Sequence, residues 1–66
     1  MSTNPYKEIP YSVRCILSNG LTEQVEFYKA MKDTKVSFGQ MENAQICADN
    51  ARYFQEQLDL VKEAMA

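Results

Sequence analysis

The chain has 66 residues, 45% of them hydrophobic, and a formal net charge of −2. This length allows one domain at most, and the apolar content is too high for a disordered chain. The small negative charge gives no electrostatic basis for binding nucleic acid or an anionic membrane. Chains this short bury a small share of their surface, so they commonly need a disulfide, a metal ion or a second chain for stability.

The residues present disfavour both a metal ion and a disulfide. Histidine is absent, and the two cysteines, Cys15 and Cys47, are too far apart in the sequence for a zinc motif. No apolar segment has the length of a secretion signal or a membrane span, so we expect a cytoplasmic protein with reduced thiols. A Cys15–Cys47 bridge stays open as an alternative. Association with a second chain is the remaining route to stability.

The first nine residues differ in composition from the rest of the chain. They are rich in small polar residues and contain Pro5. Such a composition favours loops over regular secondary structure. We therefore predict a flexible lead-in at 1–9, followed by a single helical domain at 10–66.

The first predicted helix begins at Pro10, because the first residue of a helix does not need the backbone N–H that proline lacks. The apolar residues that follow recur at helical spacing: Val13, Ile16 and Leu17. Gly20 then suits the left-handed conformation that commonly ends a helix. These features predict a short helix at about 10–18 that stops before Gly20.

A second short helix is predicted at about 22–33. Its apolar stripe consists of Leu21, Val25, Tyr28 and Met31. Glutamates lie early in this segment and lysines late, which is the charge order that the helix dipole favours. The alternative is a β-hairpin, because Asn19-Gly20 is a strong hairpin turn between two apolar stretches. The sequence favours a short helical hairpin and leaves a β-hairpin plus a long helix as the alternative.

A long C-terminal helix is predicted at about 38–65, where Ser37 and Gln40 have the spacing of a capping box. The apolar residues of this helix follow the a and d positions of a heptad: Ala44, Cys47, Ala51, Phe54, Leu58, Val61 and Met65. A second apolar series recurs every seven residues: Ile46, Tyr53 and Leu60. The combined apolar arc is wider than a two-stranded coiled coil requires.

The predicted short hairpin is too small to cover this arc. Leaving a large apolar side chain in water forfeits roughly 1.5–3 kcal/mol. We therefore expect a second copy to cover it, giving a homodimeric helical bundle, with a monomeric three-helix bundle as the alternative. The predicted dimer or partner interface consists of Ala44, Cys47, Asn50, Ala51, Tyr53, Phe54, Leu58, Leu60 and Val61.

The sequence contains no constellation of residues that indicates an enzyme. There is no histidine to act as a general base, and the acidic pair Glu56 and Asp59 has basic neighbours within one helical turn. No glycine-rich phosphate-binding loop occurs. We therefore expect no catalytic residues, no metal site and no cofactor.

Three lysines, Lys29, Lys32 and Lys35, form a local basic edge and are candidate nucleic-acid contacts. Cations at the end of a helix are also explained by the helix dipole, and the apolar pattern of a helix-turn-helix is missing around Gly20. We therefore predict a small non-enzymatic protein–protein interaction module, a homodimeric accessory or regulatory protein of bacterial or phage type with an unidentified protein partner. A small nucleic-acid-associated regulator that uses the three lysines is the alternative.

Overall fold

The computed structural model describes residues 3–66, and regular structure within them is entirely helical. A 3-10 turn at Pro5–Glu8 precedes two long helices, α1 at Tyr11–Ser37 and α2 at Met41–Met65. The two helices pack along each other as an antiparallel hairpin. An all-helical fold is thereby confirmed, and the β-hairpin alternative is excluded because residues 3–66 contain no strand.

The prediction of two short helices at about 10–18 and 22–33 is wrong, because one helix of 27 residues runs through both segments. Gly20 lies in the interior of α1, where glycine is less favourable than alanine by roughly 0.5–1 kcal/mol. Ending the helix there would leave about four N–H and four C=O groups without helical partners. The apolar stripe that faces α2 continues on both sides of Gly20. Packing of this stripe on α2 therefore outweighs the local preference of glycine for ending a helix.

The glycine that ends α1 is Gly39 rather than Gly20. Its φ of 72° lies in the left-handed region. The Gly39 N–H donates to the Val36 carbonyl over 3.0 Å, and the Gln40 N–H donates to the Lys35 carbonyl over 2.9 Å. This pair of hydrogen bonds defines a Schellman motif. The chain therefore reverses direction within the short segment 38–40.

The predicted capping box of Ser37 and Gln40 does not form. The Ser37 hydroxyl instead donates to the Asp33 carbonyl within α1 over 3.1 Å. Gln40 precedes α2 without a capping hydrogen bond from its side chain, and α2 begins at Met41 rather than near residue 38. The Schellman turn occupies the residues that the capping box would need. The remainder of the predicted long helix is confirmed, since α2 is unbroken to Met65.

The core of the molecule is the seam between α1 and α2. Val25 of α1 is buried there, and Tyr28 stacks on Phe54 with ring centroids 5.7 Å apart. The buried residues of α2 are mostly heptad a and d positions: Ala44, Cys47, Ala51, Leu58, Val61 and, outside that series, Ala64. The heptad pattern therefore identifies the buried side of α2, and the helix that covers it is α1 of the same chain.

The two glycines are expected to respond in opposite directions to alanine. Gly20→Ala should raise the free energy of unfolding by about 0.5–1 kcal/mol, because the position is helical. The added Cβ there would meet no atom within 4 Å. Gly39→Ala should lower it by roughly 1 kcal/mol or more, because an L-residue is strained in the left-handed region. Urea unfolding at fixed chain concentration measures both changes, and a stabilised Gly39→Ala variant would contradict the Schellman assignment.

Candidate interaction surface

The folded chain is a slab made of two packed helices. Its principal extents, measured on Cα atoms, are 42 × 26 × 13 Å. The radius of gyration is 14.2 Å, whereas a compact chain of this length is expected near ~11 Å. The accessible surface of 4890 Å² exceeds the roughly 4300 Å² expected for a monomer of 7.6 kDa. The hairpin therefore exposes more of its surface to solvent than a compact monomer of this size.

A continuous row of four aromatic rings crosses one broad side of the slab. Phe27 meets Tyr28 edge-on at a centroid distance of 5.2 Å, and Tyr28 stacks on Phe54. Phe54 in turn contacts Tyr53 at 5.4 Å. The two inner rings are half-buried, while Phe27 and Tyr53 are 53% and 57% exposed. The row shows that Phe27 of α1 and Tyr53 of α2 lie on the same side of the seam.

Helical geometry assigns further residues to this side. Each helix repeats its orientation approximately every seven residues, so residues with approximately the orientation of Phe27 on α1 and of Tyr53 on α2 can be read from the sequence. On α1 they include Val13, Leu17, Gly20, Gln24, Phe27 and Met31. On α2 they include Asn43, Ile46, Asn50, Tyr53, Gln57, Leu60 and Ala64. We call the surface formed by these residues the uncharged face; Lys35 and Glu42, which share the orientation of Leu17 and Leu60, lie at its end near the turn.

The N-terminal segment contacts two residues of the uncharged face near the C-terminal end of α2. The Asn4 side-chain amide donates to the Leu60 carbonyl over 2.6 Å, and the Tyr6 hydroxyl donates to Oε1 of Gln57 over 2.7 Å. The segment 1–9, predicted to be a flexible lead-in, thus has defined contacts on α2 within its described part, residues 3–9. Its flexibility stays a prediction, as does the assignment of 10–66 as one domain.

The nine residues of the predicted interface separate into two groups. Five of them are buried between α1 and α2 of the same chain: Ala44, Cys47, Ala51, Leu58 and Val61. The other four are partly or largely exposed and lie on or beside the uncharged face: Asn50, Tyr53, Phe54 and Leu60. The structure therefore brings the first group into an intrachain core and leaves only the second accessible to a partner.

Sequence reasoning omitted the half of the uncharged face that α1 supplies. Phe27 and Met31 lie on it, with Phe27 53% exposed. Their seven-residue series run back through Gly20 to Val13, and through Gln24 to Leu17. Because a break was expected at Gly20, these series were divided between two helices and their common orientation was hidden. Treating this part of the chain as one continuous helix would have revealed the common orientation of the two series.

The opposite side of the seam carries an open groove, most of whose lining residues have charged or polar ends. The residues that line it are Lys29, Lys32, Ala48, Ala51, Arg52, Gln55 and Glu56. Lys35, the third predicted nucleic-acid contact, is half-buried near the turn and does not line the groove. The structure thus brings together two of the three lysines, and Glu56 offsets part of their charge.

The two cysteines are free and lie near opposite ends of the slab. Cys47 is close to the turn and buried, whereas Cys15 is near the start of α1. From the helical rise, the two positions differ by about 24 Å along the hairpin, while a disulfide requires Cα atoms within about 7 Å. A Cys15–Cys47 bridge within one chain is therefore excluded in this fold.

In residues 3–66, cysteine and acidic side chains do not gather in the groups of three or more that hold a metal ion. Over the same residues, neither helix combines the length and the apolar character that crossing a bilayer requires.

Comparison with known proteins gives no assignment: no protein-family model, curated protein or solved structure matches the chain. The role of the molecule is therefore inferred from its own surfaces.

The contact between Tyr6 and α2 can be tested by removing one hydroxyl. Tyr6→Phe should lower the free energy of unfolding by about 1 kcal/mol, because it deletes the hydrogen bond to Gln57. Tyr11 is a matched control, since its ring is 58% exposed and packs on the Arg14 guanidinium. Tyr11→Phe should change stability by less than about 0.5 kcal/mol. Equal effects of the two substitutions in urea unfolding would contradict this docking of the N-terminal segment.

Proposed function

We propose that this protein is a small non-enzymatic interaction module that acts as a homodimer and binds another protein in that form. The observation that carries the proposal is the two-helix hairpin itself, which has one buried seam and leaves Ile16, Ile46 and Tyr53 more than half exposed. Two helices cannot bury apolar side chains that point away from their shared seam. Small domains that cannot bury enough apolar surface on their own are commonly stabilised by association with another chain.

The exposed apolar residues indicate how much association would contribute. Ile16 is 70% exposed, and Ile46 and Tyr53 are each 57% exposed. Full burial of such a side chain stabilises a protein by roughly 1.5–3 kcal/mol. Because each of these side chains is more than half exposed, burying the exposed part would contribute about half of that free energy or more. A chain of this length has a total stability of roughly 3–10 kcal/mol. A second copy that covered several of these side chains would therefore add a large fraction of that stability.

A non-enzymatic role is supported by the openness of both sides. Catalysis requires functional groups placed in a concave site that excludes water. Glu56 and Asp59 are exposed on the outer surface of α2. The groove beside Glu56 is lined by lysine, arginine and alanine and offers no histidine or thiol. We propose that neither broad side supports a catalytic site.

The nucleic-acid alternative has less support from the arrangement of the lysines. Lys29 and Lys32 share the groove with Arg52 and Glu56, Arg52 pairs with Asp49, and Lys35 does not line the groove. The chain carries a net charge of −2. We expect duplex DNA titrations to show no binding between about 50 and 200 mM salt, whereas phosphate contacts would give a steep salt dependence. Tight, salt-dependent binding would favour the regulator hypothesis instead.

Within this proposal the protein is a cytoplasmic accessory or regulatory factor of the kind that bacteria and phages encode. A two-helix chain suits such a role, because it offers one surface for self-association and a second, polar surface for another protein. The two surfaces lie on opposite sides of the slab, so pairing of two copies leaves the polar side accessible.

Light scattering after gel filtration tests the homodimer. The expected mass is about 15 kDa, twice the 7.6 kDa of one chain. It should fall toward one chain on dilution through the dissociation constant, over concentrations from about 1 to 500 μM. A mass of one chain throughout this range, with full helicity by circular dichroism, would refute the proposal.

A further inference from the structure

We propose that Asn19 is a site of spontaneous deamidation, and that local unwinding of α1 at Gly20 controls its reaction. Asn19 is the only asparagine in the chain that is followed by glycine. Both residues are exposed and lie in the interior of α1. Glycine lacks a Cβ, so its backbone nitrogen approaches a neighbouring side chain with the least steric hindrance. The proposal concerns a single chain and does not depend on the proposed homodimer.

The reaction joins the Asn19 side chain to the next backbone nitrogen. The Gly20 nitrogen loses its proton to solvent and attacks Cγ of Asn19. The bond from Cγ to the side-chain nitrogen then breaks, ammonia leaves, and a succinimide ring remains. Water adds to either carbonyl of the ring and opens it to aspartate or isoaspartate. One water is consumed and one ammonia is released, so the chain gains about 1 Da and a negative charge.

An intact α1 opposes this reaction. In the helix, the Gly20 N–H belongs to the ladder in which each N–H donates to the carbonyl four residues earlier, here that of Ile16. A nitrogen held in this hydrogen bond is not free to attack Cγ of Asn19. The helix must therefore unwind around Gly20 before the ring can close.

The first third of α1 is the part of the helix that unwinds most easily. Residues 11–20 include no buried side chain, and the one buried residue of α1 is Val25. Gly20 weakens the helix further, because glycine loses more backbone freedom on folding than any other residue. Segments with few buried apolar contacts open at a lower free energy than the whole molecule. We therefore expect residues 11–20 to open while the seam around Val25 stays packed.

Arg14 is the residue that fastens this segment to α2. Its guanidinium donates to the Ala64 carbonyl at the end of α2, and it lies over the Tyr11 ring at 5.6 Å from the ring centroid. Among the side-chain hydrogen bonds of residues 3–66, this is the one that joins 11–20 to α2. Arg14 lies more than one helical turn from Asn19, so it affects opening of the segment without contacting the reacting atoms.

Formation of isoaspartate would interrupt α1. In this product the main chain passes through Cβ and Cγ of residue 19, which places an additional carbon atom between the flanking peptide groups. The regular spacing of the helical hydrogen bonds cannot continue across that position. The helix would then break next to Gly20, where the local sequence already favours a stop. Deamidation would thereby detach the first third of α1 from the seam.

Mass-spectrometric peptide mapping of the full chain, incubated at neutral pH, measures the reaction at each asparagine. The rate at Asn19 should lie about 10- to 1,000-fold below the rate in the same chain unfolded in urea, because only the unwound fraction reacts. It should exceed the rate at Asn43 by about tenfold or more, since that exposed helical asparagine is followed by alanine.

Substitution of Arg14 tests the control by unwinding. Arg14→Ala should raise the native rate at Asn19 by about tenfold and leave the rate in urea unchanged, because it removes a hydrogen bond of a charged group. Lys29→Ala is the matched control, since it removes an exposed cation from the same helix beyond the segment that opens. It should leave both rates within about twofold of the wild type.

A second variant covers the case in which Arg14→Ala loses its helices by circular dichroism. Ser12 and Ile16 are exposed in the same segment, and replacing both by glycine lowers only its helix propensity. This double variant should raise the native rate at Asn19 by about fivefold.

The outcomes that would overturn the proposal are specific. A native rate at Asn19 equal to the rate in urea would show that α1 does not control the reaction. A native rate no higher than that at Asn43 would remove the site itself. Equal rates in folded Arg14→Ala and Lys29→Ala, or an unchanged rate in the double glycine variant, would exclude unwinding of 11–20 as the controlling step. Unchanged helicity of the purified isoaspartate form would refute the interruption of α1.

Discussion

The structure depends on one contact, the packing of α1 along α2 over the full length of the hairpin. Val25, Leu58 and Val61 are buried in this seam, and Val61 is fully enclosed. Because a helix of this length in isolation is marginal in water, tertiary packing supplies most of its stability. The seam therefore keeps α1 helical through Gly20, where the local sequence favours a stop.

The seam also determines where the apolar residues that do not fit into it must lie. Two helices share one interface. Side chains that point about a quarter of a helical turn or more away from this interface stay in solvent. At the open end of the hairpin, Arg14 donates a hydrogen bond to the Ala64 carbonyl, and Asn4 and Tyr6 contact α2. A cation next to the last carbonyls of α2 is also favoured by the helix dipole. These contacts fix the slab, and with it the two unlike broad sides.

The difference between the two sides is the basis of the proposed mode of action. One side carries the aromatic row and the amides of Asn50 and Gln57. The other carries Lys29, Arg52 and Glu56 around a shallow groove, which suits a solvated surface. The proposed homodimer contact and the proposed contact with another protein are thereby assigned to different sides.

The sequence by itself determined that α2 is long and unbroken and that most of its a and d residues are buried, and it left a β-hairpin open for the first half of the chain. Heptad spacing sets these features, because it places Cys47, Leu58 and Val61 on one side of a helix whatever covers that side. Only the tertiary structure decided that α1 is continuous and that it covers this side. Gly20 and Gly39 have the same local preference for a left-handed turn, and the positions at which α1 can pack on α2 select between them. The uncharged face follows from that choice, since its α1 half exists only when the helix runs through Gly20.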